Sequence, residues 1–371
     1  MDFGLCRDYR AEEGSDRAGL AYLSGRPAGD CKCLVCRGQT MNVLVLTNNP
    51  HRPSFRQRIG VYIGPLRRRG INCEVACFGG GVLARHRLLK RSRDFDVVFL
   101  HKKRLNFLEA PLLRRFARRL IYDFDDAVMY RASAPGRFNL SGQMRFRLTV
   151  GLADLVIAGN AYLAGHARRY NKSVEVLPTG LETRAYRAAR RGVCDGQVRL
   201  VWIGSKSTLR YLQQIRPALE EIGRRFGNVV LRIICDEFIE LQDMKVEQCR
   251  WSQQTEIKDL AGGDIGLAPL PDNRFTRGKC GFKILQYASV SLPVVASPVG
   301  VNSEYVRDGV TGFLASTAEE WIERTSRLIE DAQLRAEMGA NALREVERFD
   351  VDVIGDRLAG LIERCAGGVK S

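Results

Sequence analysis

From Met41 onward, short apolar runs alternate with stretches whose apolar residues recur at helical spacing. Asn42–Leu46, Cys73–Cys77, Val97–His101, Leu120–Tyr122, Leu155–Ala158 and Val174–Leu177 read as strands, and Ile59–Arg69 and Pro111–Arg118 as helices between them. The pattern then restarts. Strands are expected at Arg199–Ile203, Val229–Ile234, Gln248–Trp251, Ile265–Ala268 and Pro293–Ala296, with helices at Tyr211–Phe226, Glu256–Leu260 and Phe282–Ala288. The expected fold class is therefore α/β, built from two tandem Rossmann-like domains. Ligands of such sheets bind beyond the carboxyl ends of the strands, so two facing units create a cleft.

The first domain is expected over residues 41–178 and the second over 179–350, joined at the turn-rich Pro178-Thr179-Gly180. Trp321, Leu328, Leu334, Met338, Leu343 and Val346 keep helical spacing in a helical segment Ala318–Glu363, and residues 351–371 form the closing helix. Residues 1–40 are rich in Gly, Arg, Asp and Glu without a sustained period. That extension is expected to be disordered, with Met41 a candidate translation start. Cys31, Cys33 and Cys36 within it fall short of the four ligands of a closed zinc site, so no metal is expected there.

The chain has 371 residues, 45% of them hydrophobic, more than one core usually holds. It has neither an apolar run of the roughly 20 residues that span a bilayer nor a secretory pattern at its start, so a cytoplasmic protein is expected. The eleven cysteines, Cys73, Cys77, Cys235 and Cys249 among them, are expected to be buried thiols. The net charge of +16 is concentrated: residues 41–180 carry 25 basic and 9 acidic side chains, and the remainder balances. Clusters at Arg67 to Arg69, Arg85 to Arg93, Lys102 to Arg104 and Arg114 to Arg119 fit either a solvated helix face or attraction to anionic lipid or a polyanionic acceptor.

Candidate chemistry concentrates in the second half. The loop Lys279-Cys280-Gly281 opens a helix at Phe282 and carries lysines at 279 and 283. Unpaired amides, the helix dipole and two ammonium groups together suit a phosphate. Gly204-Ser205 is a second glycine turn at a helix start, and Lys206 beside it is a weaker candidate.

Several segments, in order, resemble nucleotide-sugar glycosyltransferases of the GT-B fold, and specifically retaining family 4. They are Met41–Leu46 with Ser54–Arg58, Tyr122-Asp123-Phe124-Asp125-Asp126-Ala127 (similar to a bacterial subgroup's Y-D-F-D-D-A), Leu177-Pro178-Thr179-Gly180-Leu181-Glu182, Val201–Ser205, and Pro298–Leu314. The resemblance covers nearly all of residues 41–366. It departs where the family carries two glutamates eight positions apart, here Gly278 and Gln286.

The resemblance implies transfer of a sugar, with retention, from a nucleoside diphosphate to a glycan, polysaccharide or lipid-linked acceptor. Gly204, Ser205, Lys279, Gly281, Phe282, Lys283 and Gln286 are expected on the donor side, the last through a hydroxyl of the nucleotide. His101, Asp125 and Asp126 are the catalytic candidates, and Arg56, Arg58 and Lys102 the acceptor or cleft candidates. No cofactor and no metal are expected, since lysines and helix amides already offset the phosphates and Asp123–Asp126 lies outside the fold in which a D-x-D pair holds a cation. The first domain's charge suggests a peripheral place at the inner face of a membrane. The alternative is a non-catalytic polyanion or nucleic-acid binder, but no RNP-like aromatic pair or helix-turn-helix signal accompanies the charge, so no nucleic-acid partner is expected.

Overall fold

The computed structural model describes residues 40–137, 139–188 and 195–367. The expectations for residues 1–39, including those for Cys31, Cys33 and Cys36, lie outside the described residues.

The first sheet contains β1 (Met41–Thr47), β2 (Ile71–Cys77), β3 (Val97–His101), β4 (Leu120–Phe124), β5 (Leu155–Ala158) and β6 (Val174–Val176). The second contains β7 (Val198–Ile203), β8 (Val229–Cys235), β9 (Lys245–Arg250), β10 (Ile265–Ala268), β11 (Val294–Ala296) and β12 (Gly312–Leu314). The strand orders are β2-β1-β3-β4-β5-β6 and β12-β11-β10-β7-β8-β9, parallel throughout. Both are doubly wound α/β sheets. All five residues of β3 and of β4 are buried, as central strands covered on both faces must be. Edge strand β9 instead carries Lys245, Glu247 and Arg250, charges that discourage pairing with another chain. Edge position also corrects the cysteine expectation: Cys77 at the end of β2 is exposed, whereas Cys235 on interior β8 is buried.

Two expected helices are broken by proline. Tyr211–Phe226 resolves into Lys206–Gln213 and Arg216–Arg225, because Pro217 has no N–H to continue the first helix and starts the second. Ile59–Arg69 resolves into a 3₁₀ turn, Gly60–Tyr62, and the helix Ile63–Arg68, with Pro65 in its first turn.

The chain crosses between the sheets twice, side by side. Leu181 N–H donates to Phe349 C=O at 2.9 Å, and Val351 N–H to Leu181 C=O at 3.0 Å. Gly180 sits at this crossing because a β-carbon would come within 2.5 Å of the Tyr62 hydroxyl and 3.1 Å of Phe349 C=O. Beyond it, the helix Val351–Gly367 lays Ile354, Leu358, Leu361 and Ile362 against Val43, Val45 and Ile121 of the first sheet. Each such side chain, fully buried, contributes about 1.5–3 kcal/mol.

Candidate active site

Both sheets reverse strand order where the candidate residues gather, between β1 and β3 in one and between β7 and β10 in the other. His101 ends β3, and the parallel register places it beside Asp123 of β4. Their side chains meet, His101 Nδ1 to Asp123 Oδ2 at 3.0 Å, with His101 2% exposed. Arg58 corrects its expectation as a cleft residue. It is buried, donating from Nη2 to Asp123 at 2.7 Å and from Nη1 to Leu177 C=O at 2.7 Å. The helix Pro53–Arg58 turns this side chain inward beneath the site because Asp123 supplies its countercharge there. Arg56 of the same helix reaches the other domain, bonding Gln253 and lying over the Trp251 ring at 5.8 Å.

Next along the chain, Lys102 adopts a left-handed backbone (φ 56°), which turns its ammonium toward Asp125 (2.5 Å) and Asp126 (2.8 Å). Asp126 also accepts from Lys279 of the second domain at 3.0 Å. Burial works to raise the Asp126 carboxyl, but Lys102 and Lys279 outweigh it and hold it down at about 2. Burial likewise disfavours the Lys102 and Lys279 charges, and the facing aspartates more than restore them, keeping both above the usual lysine range. One carboxylate thus joins the two domains across the cleft. Asn160, donating to Lys279 C=O at 3.1 Å, fastens the same loop.

The second domain's wall is built around Trp202. At Gly204 a β-carbon would come within 2.4 Å of the indole, so only glycine lets the turn after β7 close over it. Ser205 opens the following helix, its N–H donating to Thr208 Oγ1 at 3.1 Å. Gly281 takes a left-handed conformation (φ +64°), with Val301 and Tyr305 each within 2.8 Å of where a β-carbon would be, and so starts the helix Phe282–Ser289. Lys283, in the first turn, holds its ammonium 4.0 Å from the Trp202 ring centroid. Among the described residues no carboxylate pairs with it, and burial followed by Lys279 pushes it down to about 7. Lys279, Gly281, Phe282 and Lys283 line a cavity of about 170 Å³ with Thr208, Tyr211 and Asn302.

Gln286 corrects the expectation of an amide open to the donor. Its NH₂ donates to Glu256 at 2.9 Å and the Tyr186 hydroxyl at 3.2 Å, and the residue is 4% exposed. The Tyr186 hydroxyl and the Trp251 indole N–H also donate to Glu256, each at 2.6 Å. A buried carboxylate needs those donors, and they hold Gln286 within the second domain, outside the cavity lining. Gly278 is pressed by the first domain: a β-carbon would come within 2.8 Å of Ala127 and 2.9 Å of Leu163, leaving no room for a glutamate in this arrangement. Lys206 turns away to Glu237.

The structure therefore brings His101, Lys102, Asp125, Asp126 and Lys279 together, with Gly204, Ser205, Gly281, Phe282 and Lys283 forming the adjoining wall. Sequence reasoning missed Asp123 and Trp202 as parts of the site. Asp123 opens the run of aspartates after Tyr122, but its burial comes from strand register; Trp202 precedes the glycine turn, where a large aromatic reads as core. Among the described residues no three metal-ligating side chains converge, and no helix is long and apolar enough to cross a membrane.

Residues 184–331 match the family model described as Glycosyl transferases group 1. No curated protein sequence matches the chain. Among solved structures, HepE of Anabaena in complex with UDP-glucose is similar at 18% identity and TM-score 0.64, over 87% of this chain and 99% of that one. A glycosyltransferase from Rickettsia africae aligns at 13% identity and TM-score 0.68, covering 89% and 100%. Sucrose-phosphate synthase from Thermosynechococcus elongatus aligns at 12% and 0.66, also covering 89% and 100%. At these identities the likeness is one of fold. The chain has the two-domain GT-B architecture, and its residues 184–331 match the group 1 glycosyltransferases.

Proposed function

We propose that this chain transfers a sugar from a nucleoside-diphosphate donor to a hydroxyl of a glycan, polysaccharide or lipid-linked acceptor, with retention and without a metal. The observation that carries the reading is Lys283: a partly buried ammonium that pairs with no carboxylate among the described residues, at a helix start, lining a cavity beside Lys279. A partly desolvated cation of this kind gains most from an anion that brings its own charge. UDP-glucose in the Anabaena relative makes a uridine donor the first candidate.

Breaking a glycosyl phosphate bond places negative charge on the departing diphosphate. Donors fixed in advance at that position stabilise the transition state more than the ground state. Lys279, Lys283, the first amides of the helix at Phe282 and the Gly204-Ser205 turn supply them. His101 faces the transferred sugar from the other domain, while Asp125 and Asp126 orient the acceptor hydroxyl or offset positive charge on the sugar. Lys102 and Lys279 already neutralise these carboxylates, which supports a reaction without a divalent cation.

The acceptor reading draws on a surface of the first domain. Val82 and Leu83 begin the helix Val82–Arg91, Phe107 and Leu108 precede the helix Glu109–Phe116, and all four are 61–84% exposed. Arg85 pairs with Glu109 at 3.4 Å and Lys103 approaches the same carboxylate at 3.7 Å, so the two helix starts are neighbours, and the helix Val82–Arg91 adds Arg87 and Lys90. Apolar tips within a basic frame suit an anionic bilayer, where a lipid-linked acceptor would lie. Titration with UDP-, GDP- and ADP-sugars in EDTA tests the reading. Binding of one series followed by sugar transfer supports it, and binding of none overturns it.

A further inference from the structure

We propose that Arg58 and Asp123 are positioning residues that lock His101 as the Nδ1–H tautomer, so that a bare Nε2 is presented as an acceptor to a hydroxyl of the bound sugar. The lock stands on geometry within the first domain; its use on a sugar rests on the glycosyl-transfer reading.

Parallel pairing of β3 and β4 sets His101 against Asp123, and Nδ1 lies 3.0 Å from Oδ2. Arg58 holds that carboxylate from the other side, with Nη2 2.7 Å and Nε 3.1 Å from Oδ1. Its remaining arm donates to Leu177 C=O, so the guanidinium cannot turn without losing a backbone bond. Arg58, His101 and Asp123 are 1–2% exposed.

Burial alone would favour protonation of Asp123. Arg58, together with the hydrogen bond from His101, overrides it and keeps the carboxyl below its usual range. An ionised carboxylate only accepts, so the hydrogen between Asp123 and His101 resides on Nδ1. In the neutral ring Nε2 is then unprotonated, and a second partner must donate to it.

The far side of the ring fits that role. Nε2 is buried, and among the described residues no protein group bonds to it. The Phe55 ring packs edge to face at 5.8 Å and fixes the imidazole plane. A site that offers a dry acceptor to a hydroxyl discriminates strongly against an analogue lacking that hydroxyl. Arg58 also makes the supporting pair neutral overall, so Asp123 sets the tautomer without adding net negative charge near the departing diphosphate.

The protein has four histidines, which makes a direct test practicable. Long-range proton–nitrogen correlation of the ¹⁵N-labelled full chain at pH 8 reports the protonated nitrogen of each ring, and His101→Gln identifies the His101 signals by their loss. The expected result is Nδ1 protonated and Nε2 bare. In Asp123→Asn, the amide oxygen faces Arg58 and its NH₂ faces the ring, so the hydrogen is expected to move to Nε2. The same variant is expected to lose at least about tenfold in kcat with little change in donor KM, with recovery toward parent in Asp123→Glu. A parent ring protonated on Nε2, or an unchanged tautomer in a folded Asp123→Asn protein, would overturn the proposal. The parent spectrum decides even if the variant fails to fold. A locked Nδ1–H ring in a protein that binds no sugar nucleotide retains the lock and removes the glycosyl-transfer reading.

Discussion

Lys283 rests its ammonium 4.0 Å from the centroid of the Trp202 ring, and that ring also underlies Gly204. A single indole therefore sets the spacing between the two segments proposed to hold a diphosphate, one following β7 and one opening the helix Phe282–Ser289. It also supplies the lysine with a polarisable surface in place of a carboxylate, leaving the charge available to a ligand.

Burial, with Lys279 nearby, brings Lys283 down to about 7, whereas an unfolded lysine titrates near 10.4. Between those values the unfolded chain holds a proton that the folded chain lacks, so this residue makes stability rise with pH across that window. Diphosphate binding favours the charged form and reverses the shift. Donor binding is expected to take up a proton above pH 7 and to weaken from pH 7 to pH 9, measured by calorimetry in buffers of differing ionisation heat. Binding without proton uptake at pH 8 contradicts the assignment.

Asp126 holds the Lys279 ammonium that the proposed donor phosphate would also engage, so the two anions would compete for it. Asp126→Asn is expected to bind UDP several-fold more tightly, consistent with about 1 kcal/mol for a partly exposed pair, while turnover falls. Calorimetry and a transfer assay on one preparation separate the two effects; equal losses in both would assign Asp126 to donor binding instead.

Arg58→Met leaves the Asp123 charge buried without its partner. A loss of about 3–5 kcal/mol at pH 7 is expected in urea unfolding. In the parent, Asp123 titrates below its unfolded value, so its stabilisation is present above the ordinary carboxylate range and fades as pH falls through the folded value. In the variant the buried carboxylate protonates more readily, so the deficit should narrow at pH 5. A variant as stable as the parent at pH 7 refutes the buried pair's role.

The apolar tips of the first domain predict salt-sensitive cosedimentation with vesicles containing phosphatidylglycerol, at about 1 kcal/mol per engaged basic side chain. Val82→Asp with Leu83→Asp should reduce it at least tenfold without moving the melting temperature. Parent protein that stays in the supernatant at low salt removes the membrane surface from the account.

The alternation of strands and helices was legible because apolar runs such as Val97–His101 and Leu155–Ala158 report burial inside a parallel sheet, and the structure reproduces both bounds. β12 was read only as part of a motif, since three residues are too short to show a period. The placing of Lys279 and Lys283 around a helix start was legible from the glycine between them. The partners of Gln286 and Arg58 were not, because Glu256 lies 30 residues away and Asp123 lies 65. Only the folded sheets bring those charges together. Gly278 illustrates the same limit: its reason for being glycine is Ala127 in the other domain.

Calorimetric titration of UDP-glucose, UDP and the corresponding GDP and ADP ligands into parent and Lys283→Ala protein in EDTA asks whether Lys283 holds the diphosphate of a donor. One nucleotide series is expected to bind the parent, and Lys283→Ala to bind it about 10- to 100-fold more weakly, the range for a hydrogen bond to a charged group, with no loss of thermal stability. Equal affinity in the two proteins, or no binding to the parent, would contradict that role for Lys283.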